Sequence, residues 1–372
     1  MQAAFEIYKK QPAPFIHIIK KKNPHLHFPD FATRLVAWQR EHGRHDFPWQ
    51  VRDPYRVWLS EIMLQQTQAS TVRDYYTRFV AALPTVQDLA AAEQDTVLAL
   101  WAGLGYYSRA RNLQAAAQQI VQDFGGQFPN TRLELEQLKG VGRSTAAAIA
   151  AFAFGARETI LDGNVKRVLC RVFAQDGEPQ NKAFERELWA LAESLLPEQS
   201  SDMPAYTQGL MDLGATLCTR SKPQCSRCPM SDKCLAYQQN LTDVLPRKKT
   251  PVAVKQQTLF WLILVREDGA ICVQKRPNRG IWAGLYGVPE QSSLHDLANC
   301  ATACGANWQD AEERARLARR LTHRALEIVP YVLRVANDTP VPSAGCLWLP
   351  HRDWADYAMP TPLANGLADW VA

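Results

Sequence analysis

The chain has no apolar run long enough to cross a bilayer. Its longest, Ala146 to Gly155 and Leu259 to Val265, reach at most about half of such a span. It has no signal peptide either: Lys9 and Lys10 precede the apolar stretch Phe15 to Ile19, but that stretch is short and ends in Lys20-Lys21-Lys22. These absences predict a soluble intracellular protein. Charge of one sign is also missing where a uniformly basic nucleic-acid binder would carry it. Residues 31–245 hold 22 basic and 23 acidic residues, and the net +5 comes from the five lysines of residues 1–30 and from 246–372, with 15 basic against 12 acidic. Only local patches are left to bind phosphate. Nor is there a disulfide framework, since nine cysteines in 372 residues without an export signal are not a secreted scaffold. No internal repeat is evident. A 47% hydrophobic, 21% charged balance excludes a disordered chain, and the length predicts two domains.

Residues 1–30, with Pro12, Pro14, Pro24 and Pro29 and no sustained period, read as an irregular extension. From 31 to 245 the periodicity is helical: Phe31, Leu35 and Trp38 recur at helical spacing, and Tyr55, Trp58, Leu59, Ile62 and Met63 form a second stripe. Turns are marked at Leu83-Pro84, Phe124-Gly125-Gly126, Phe128-Pro129-Asn130 and Leu196-Pro197, and no strand is predicted in this half. Residues 246–255 read as a basic linker. Beyond it, Thr258 to Val265, a turn at Glu267-Asp268-Gly269 and Ala270 to Gln274 predict a β-hairpin, and Ile328 to Val335 a further strand, so 256–372 is an α+β domain.

Four cysteines cluster as Cys218-x6-Cys225-x2-Cys228-x5-Cys234, a density of thiolates that binds zinc or an iron–sulfur cluster. Arg220, Lys222, Arg227 and Lys233 make the same loop a candidate phosphate contact. Leu138 to Thr145 holds Gly140 and Gly142 in a tight turn opening a helix, where backbone N–H groups can meet a phosphate; it also fits a plain helical hairpin. Glu61 sits in an apolar segment, where poor solvation raises a carboxyl pKa and suits it to proton donation, against the alternative of a surface residue. Gln66 and Thr67 follow it with groups suited to base edges. Asp162 is either a helix N-cap or a fixed carboxylate stabilising positive charge on a sugar. Gly103-Leu104-Gly105-Tyr106-Tyr107 offers an aromatic wedge, with Arg109 and Arg111 to hold the DNA backbone.

Taken together, Ser60 to Thr67, Gly103 to Tyr107, the hairpin Leu138 to Thr145, Leu161 to Arg167, the four-cysteine loop (218–234) and Lys275-Arg276-Pro277…Gly280 to Tyr286 resemble the adenine DNA glycosylase (MutY) family of the helix-hairpin-helix superfamily over about residues 31–370. The resemblance implies an all-α glycosylase domain followed by an α+β Nudix-like domain. It implies a [4Fe–4S] cluster on Cys218, Cys225, Cys228 and Cys234. It implies duplex DNA as partner, with adenine opposite 8-oxoguanine or guanine, no membrane, a monomer, and a cytoplasmic location, nucleoid-associated in a bacterium. Glu61 would protonate the adenine, Asp162 would stabilise the oxocarbenium-like sugar, and Asn164 would orient the site. Tyr106 would wedge beside the lesion, with Gln66, Thr67 and Leu104 near 8-oxoguanine, Gly140, Gly142 and Ser144 on the DNA backbone, and Gln208 against adenine.

The chain departs from the family in two places. The loop that reads 8-oxoguanine, commonly Phe-Ser-His, is here Leu321-Thr322-His323, and the glutamate-rich Nudix box that would hold magnesium is missing after Gly287. The C-terminal domain is therefore expected to bind rather than hydrolyse. A lyase of the same fold needs a lysine where this chain has Ser144, which predicts a monofunctional glycosylase. A nucleotide-pool hydrolase and a non-catalytic DNA-binding protein are the remaining alternatives.

Overall fold

The computed structural model describes residues 28–247, 254–321 and 324–371. Its contacts group them into two units: 28–44 with 159–247, and 45–158 with 254–371. In chain order the main helices are α1 (Phe31–His42), α2 (Pro54–Leu64), α3 (Ala69–Ala82), α4 (Val86–Ala91), α5 (Gln94–Trp101), α6 (Ser108–Asp123), α7 (Arg132–Leu135), α8 (Arg143–Phe154), α9 (Gly163–Val172), α10 (Lys182–Ser194), α11 (Met203–Asp212), α12 (Leu235–Gln238), α13 (Leu294–Ala303) and α14 (Thr361–Val371). The strands are β1 (Lys255–Arg266), β2 (Ile271–Lys275), β3 (Tyr286–Gly287), β4 (Glu290–Gln291), β5 (Glu312–Glu313), β6 (Leu317–Arg320), β7 (Arg324–Val335) and β8 (Cys346–Leu349). No helix among the described residues is long and apolar enough to cross a membrane.

In the first unit α1 packs on α11. Gly209 makes the approach close, since a Cβ there would stand 3.0 Å from Leu35 Cγ. Phe31, Phe173 and Tyr206 pack ring against ring. Phe28 joins them, edge-on to Phe31 and buried, so the fold begins a little before the expected boundary at residue 31. Residues 1–27 lie outside the described part. The linker's start is anchored rather than free: Arg247 pairs with Asp176, and the Leu245 carbonyl accepts from Arg171 at 2.9 Å.

The second unit holds two kinds of core. Helices α2–α8 enclose Trp58, Phe79, Leu89 and Trp101, all essentially without solvent contact. The sheet runs β3-β2-β1-β7-β5, with β4 on β1, β6 on β7 and β8 on β2. β1 and β7 pair in parallel along their whole length, Lys255 opposite Arg324 through Arg266 opposite Val335. Alternation sends Leu259, Trp261 and Ile263 to the α14 face and Leu262 and Leu264 to the α13 face, so both faces are covered. The predicted hairpin forms at Glu267-Asp268-Gly269, with Gly269 at φ 80° and Asp268 accepting from Ala270 N. The segment after β2 reaches the helices of the same unit: Leu285 is buried in their core, Arg111 donates to Ala283 O at 2.6 Å, and Asp95 accepts from Lys275 Nζ (2.6 Å) and Tyr286 OH (2.8 Å).

Candidate active site

Asp162 is the N-cap of α9, and one carboxylate oxygen accepts from Asn164 N at 2.9 Å and Val165 N at 2.8 Å. Both readings of this residue are thus compatible, because the cap is what immobilises the carboxylate. Burial raises its pKa, opposed by the two N–H bonds and by Arg167 and Lys166. Two residues on, Asn164 has its oxygen fixed by Arg167 Nη2 at 2.7 Å. Arg167 also donates to Gly214 O and Cys218 O, both at 2.7 Å. One guanidinium therefore joins the start of α9 to the first residue of the cysteine loop. The approach is tight: a Cβ on Gly214, in the π-turn that follows α11, would come within 2.6 Å of Asn164 Cβ.

Cys218, Cys225, Cys228 and Cys234 line one cavity with Arg171, Leu213, Leu217 and Pro223. Among the described residues no three His, Cys, Asp or Glu side chains converge on a single-ion position. Burial pushes the Cys228 thiol up to about 12 and raises Cys225 and Cys234 as well, so ionised sulfurs here call for positive charge among them. Arg171 supplies part of it, 3.4 Å from Cys218 Sγ, and its other N–H groups hold Thr219 O and Arg220 O. Arg220, Lys222, Arg227 and Lys233 are exposed. Elsewhere in this unit, Gln208 donates Nε2 to the fully buried Asp212, whose carboxylate is also held by Arg44. With one N–H on Asp212, the Gln208 amide keeps its other N–H and its acceptor oxygen for a ligand.

In the second unit Glu61 lies half-buried in the last turn of α2, a helix started by the cap of Asp53 on Arg56 N and by Pro54. Gln65 at its end donates to Thr145 Oγ1 at 3.3 Å, tying α2 to the hairpin. Gly140 there has φ 77°, and a Cβ would meet Asn112 Cβ at 2.9 Å, whereas Gly142, the N-cap of α8, has open space around it. Ser144 sits in the first turn of α8. Gln66 and Tyr106 are both left-handed, at φ 57° and 48°, and Tyr106 is half exposed while Leu104 beside it is buried. Thr322 and His323 lie outside the described residues; Leu321 packs against the core on the α14 side of the sheet.

One expectation is corrected. Arg109 does not face the DNA backbone. It is buried, with the two terminal nitrogens of its guanidinium on Ile62, Met63, Gln65, Leu104 and Gly105 carbonyls and Thr67 Oγ1, because a cation this deep needs acceptors within the protein. Arg111 is likewise engaged, on Ala283 O. Arg171 and Asp212 carry no signal in the sequence, and Arg167 is legible there only as the end of the Leu161-to-Arg167 motif, without a role. In the sequence both arginines fall with Asn164 on the polar face of α9, so no local signal marks them as buried.

Comparison with known proteins gives the class: a base-excision DNA repair protein with a NUDIX domain. Residues 59–194 match the HhH-GPD superfamily of base excision DNA repair proteins, and residues 260–368 match the NUDIX domain. The chain is 36% identical to the adenine DNA glycosylase of Buchnera aphidicola subsp. Baizongia pistaciae, over 81% of this chain and 85% of that one. With the human adenine DNA glycosylase it shares 33% identity over 90% of this chain and 72% of that one. Among solved structures, a thermostable thymine-DNA glycosylase superposes with a TM-score of 0.50 at 31% identity, covering 56% of this chain and 95% of that one. The chain belongs to the adenine DNA glycosylase family.

Proposed function

We propose that this protein removes adenine paired with 8-oxoguanine, and also with guanine, from duplex DNA by hydrolysing the N-glycosidic bond. The observation that carries this reading is the likeness to adenine DNA glycosylases over most of the chain. The adenine leaves the stack before chemistry reaches its bond. Glu61 is the general acid that makes the base a better leaving group, and Asp162 stabilises the oxocarbenium-like sugar, with Asn164 as the orienting amide. The cap on Asp162 supports its part, since a carboxylate whose lone pairs are pinned by two N–H groups keeps one geometry through the reaction. The acceptor oxygen of Gln208 suits adenine's exocyclic amine. Gln66, Thr67, Leu104 and Tyr106 serve the 8-oxoguanine side, Gly140, Gly142 and Ser144 the backbone phosphates, and Thr322 and His323 the lesion.

The four cysteines fit a [4Fe–4S] cluster, in which each thiolate holds a different iron and Arg171 donates to one sulfur. A tetrahedral zinc would instead draw the sulfurs to within roughly 3.8 Å of one another, as its Zn–S bonds of about 2.3 Å require. The cluster's thiolate-to-iron charge transfer colours a protein brown, whereas zinc is colourless. Purified protein is therefore expected to absorb visible light in proportion to its iron; a colourless, active protein with stoichiometric zinc would contradict the assignment.

The function is tested with duplexes carrying adenine opposite 8-oxoguanine, adenine opposite guanine, and thymine opposite guanine. Alkali-labile sites should appear in the first two. A Schiff base needs an amine, and Ser144 offers only a hydroxyl, so borohydride should trap little or no enzyme–DNA adduct. Strong trapping by the unmodified protein would replace the monofunctional reading with a lyase.

A further inference from the structure

We propose that Arg109 is a positioning residue that sets Gln66 and Tyr106 together for the lesion, resting on the lesion-side reading of those two residues given above. Arg109 stands on α6, yet its guanidinium reaches two separate loops. Nη1 donates to Ile62 O (3.0 Å), Met63 O (2.8 Å) and Gln65 O (2.6 Å), and Nη2 to Thr67 Oγ1 (3.2 Å), Leu104 O (3.3 Å) and Gly105 O (3.1 Å). The acceptors fall on both sides of Gln66 and immediately before Tyr106. Both of these residues hold left-handed backbone without being glycine, a state that persists only where the surroundings over-determine it.

The Arg109 main chain closes the second loop, its N–H donating to Tyr106 O at 2.9 Å, while Trp101 Nε1 donates to Gly105 O at 3.2 Å. The guanidinium carbon lies 5.2 Å from the Trp101 ring and 5.7 Å from that of Tyr106. Burial brings the Arg109 pKa down to about 10, so it is still a cation at neutral pH. The carbonyls of Ile62 and Met63 are loose ends of α2 that any donor could cap. Gln65, Thr67, Leu104 and Gly105 are not, and a single rigid fork on all four makes the two loops move as one. Lysine cannot reproduce this, since its ammonium presents donors from one point and has no fork to span both loops.

The test uses the full-length protein as Arg109→Lys, with Thr67→Val as a milder variant that removes one acceptor. Tyr55→Phe is the stability control, since it deletes a buried hydrogen bond to Leu83 O at the opposite end of α2 from the carbonyls that Arg109 holds. Single-turnover rates are measured on adenine opposite 8-oxoguanine and opposite guanine, together with the fluorescence of 2-aminopurine placed beside 8-oxoguanine, which rises when a wedge unstacks it. Arg109→Lys should lower the preference for the 8-oxoguanine duplex by about tenfold or more and suppress the fluorescence rise. Thr67→Val should shift both in the same direction by less, and Tyr55→Phe should shift neither. Combining Arg109→Lys with Tyr106→Ala should add little to Tyr106→Ala alone, as expected of residues acting through one another. Additive effects, or an Arg109→Lys protein with unchanged preference and fluorescence, would overturn the proposal, and should that variant not fold, Thr67→Val with unchanged values does so. A wild-type protein inert on both duplexes would instead sink the functional reading itself.

Discussion

Asp162→Asn is expected to cost roughly 10²–10³-fold or more in the single-turnover rate of adenine removal, about 2.7–4 kcal/mol, the scale for deleting one preorganised electrostatic partner of a transition state. The same change should leave the fold intact and raise its melting temperature at neutral pH. Asparagine caps a helix as well as aspartate does, so the bonds from Asn164 N and Val165 N have an oxygen to go to in the variant. Burial raises the pKa of Asp162, which means that the folded state binds its proton more tightly than the unfolded chain. Stability therefore falls as pH rises through the folded pKa, and at neutral pH the ionised side chain is a cost that the neutral amide removes. The gain in the variant should shrink as pH is lowered towards the ordinary aspartate range. Activity of the wild type should run the opposite way, declining in acid once Asp162 takes up its proton. Thermal melts and single-turnover rates of both proteins across pH check the two trends together. A variant both less stable and still active would show that Asp162 is a cap and nothing more.

This opposition explains how far the site could be read from the sequence. The cap of Asp162, the tight turn at Gly140 and the clustering of the four cysteines are each legible because they rest on residue type at a fixed local spacing, while the catalytic parts proposed for Glu61 and Asp162 come from the family resemblance. The strands β1, β2 and β7 are legible for a similar reason, since bulky, β-branched runs and a Glu-Asp-Gly turn are local signals, although β7 begins at Arg324, ahead of the expected Ile328. What escapes is what depends on partners distant in the chain. Arg109 reads as a surface cation until its six acceptors, four of them more than forty residues away, are seen to surround it. Asp95 reads as a first-turn helix acid, yet it holds Lys275 and Tyr286 from about 180 residues further on. Buried polar side chains satisfied by main-chain carbonyls leave little trace in periodicity, because the acceptor is present at every residue.

Arg171 is the case where that hidden dependence should have its greatest effect on stability. Its side chain is buried, and it donates to Leu245 O at 2.9 Å, Thr219 O at 2.7 Å, Arg220 O at 3.2 Å and Cys218 Sγ at 3.4 Å. Arg171→Met keeps much of the volume and removes every donor. The buried Leu245 carbonyl costs about 1–3 kcal/mol if left unpaired, and the partly buried Thr219 and Arg220 carbonyls cost less because water can reach them, a sizeable share of a domain stability of commonly about 5–15 kcal/mol. The lost positive charge adds to this, because burial raises the Cys225 thiol and Arg171 is one of the charges that lower it. The expected result is a protein with far less bound iron, a melting temperature lower by many degrees, and adenine removal reduced in proportion to the iron lost. Arg171→Lys should fall between, restoring charge without the fork. The Arg167 bridge makes a further demand: Asn164 is held by the same guanidinium that grips Cys218 O, so loosening the cysteine loop should disturb the start of α9 as well. Iron content, melting and activity of the three proteins, measured on the same preparations, test this. An Arg171→Met protein with full iron and an unshifted melt would mean that the loop is held by its thiolates alone.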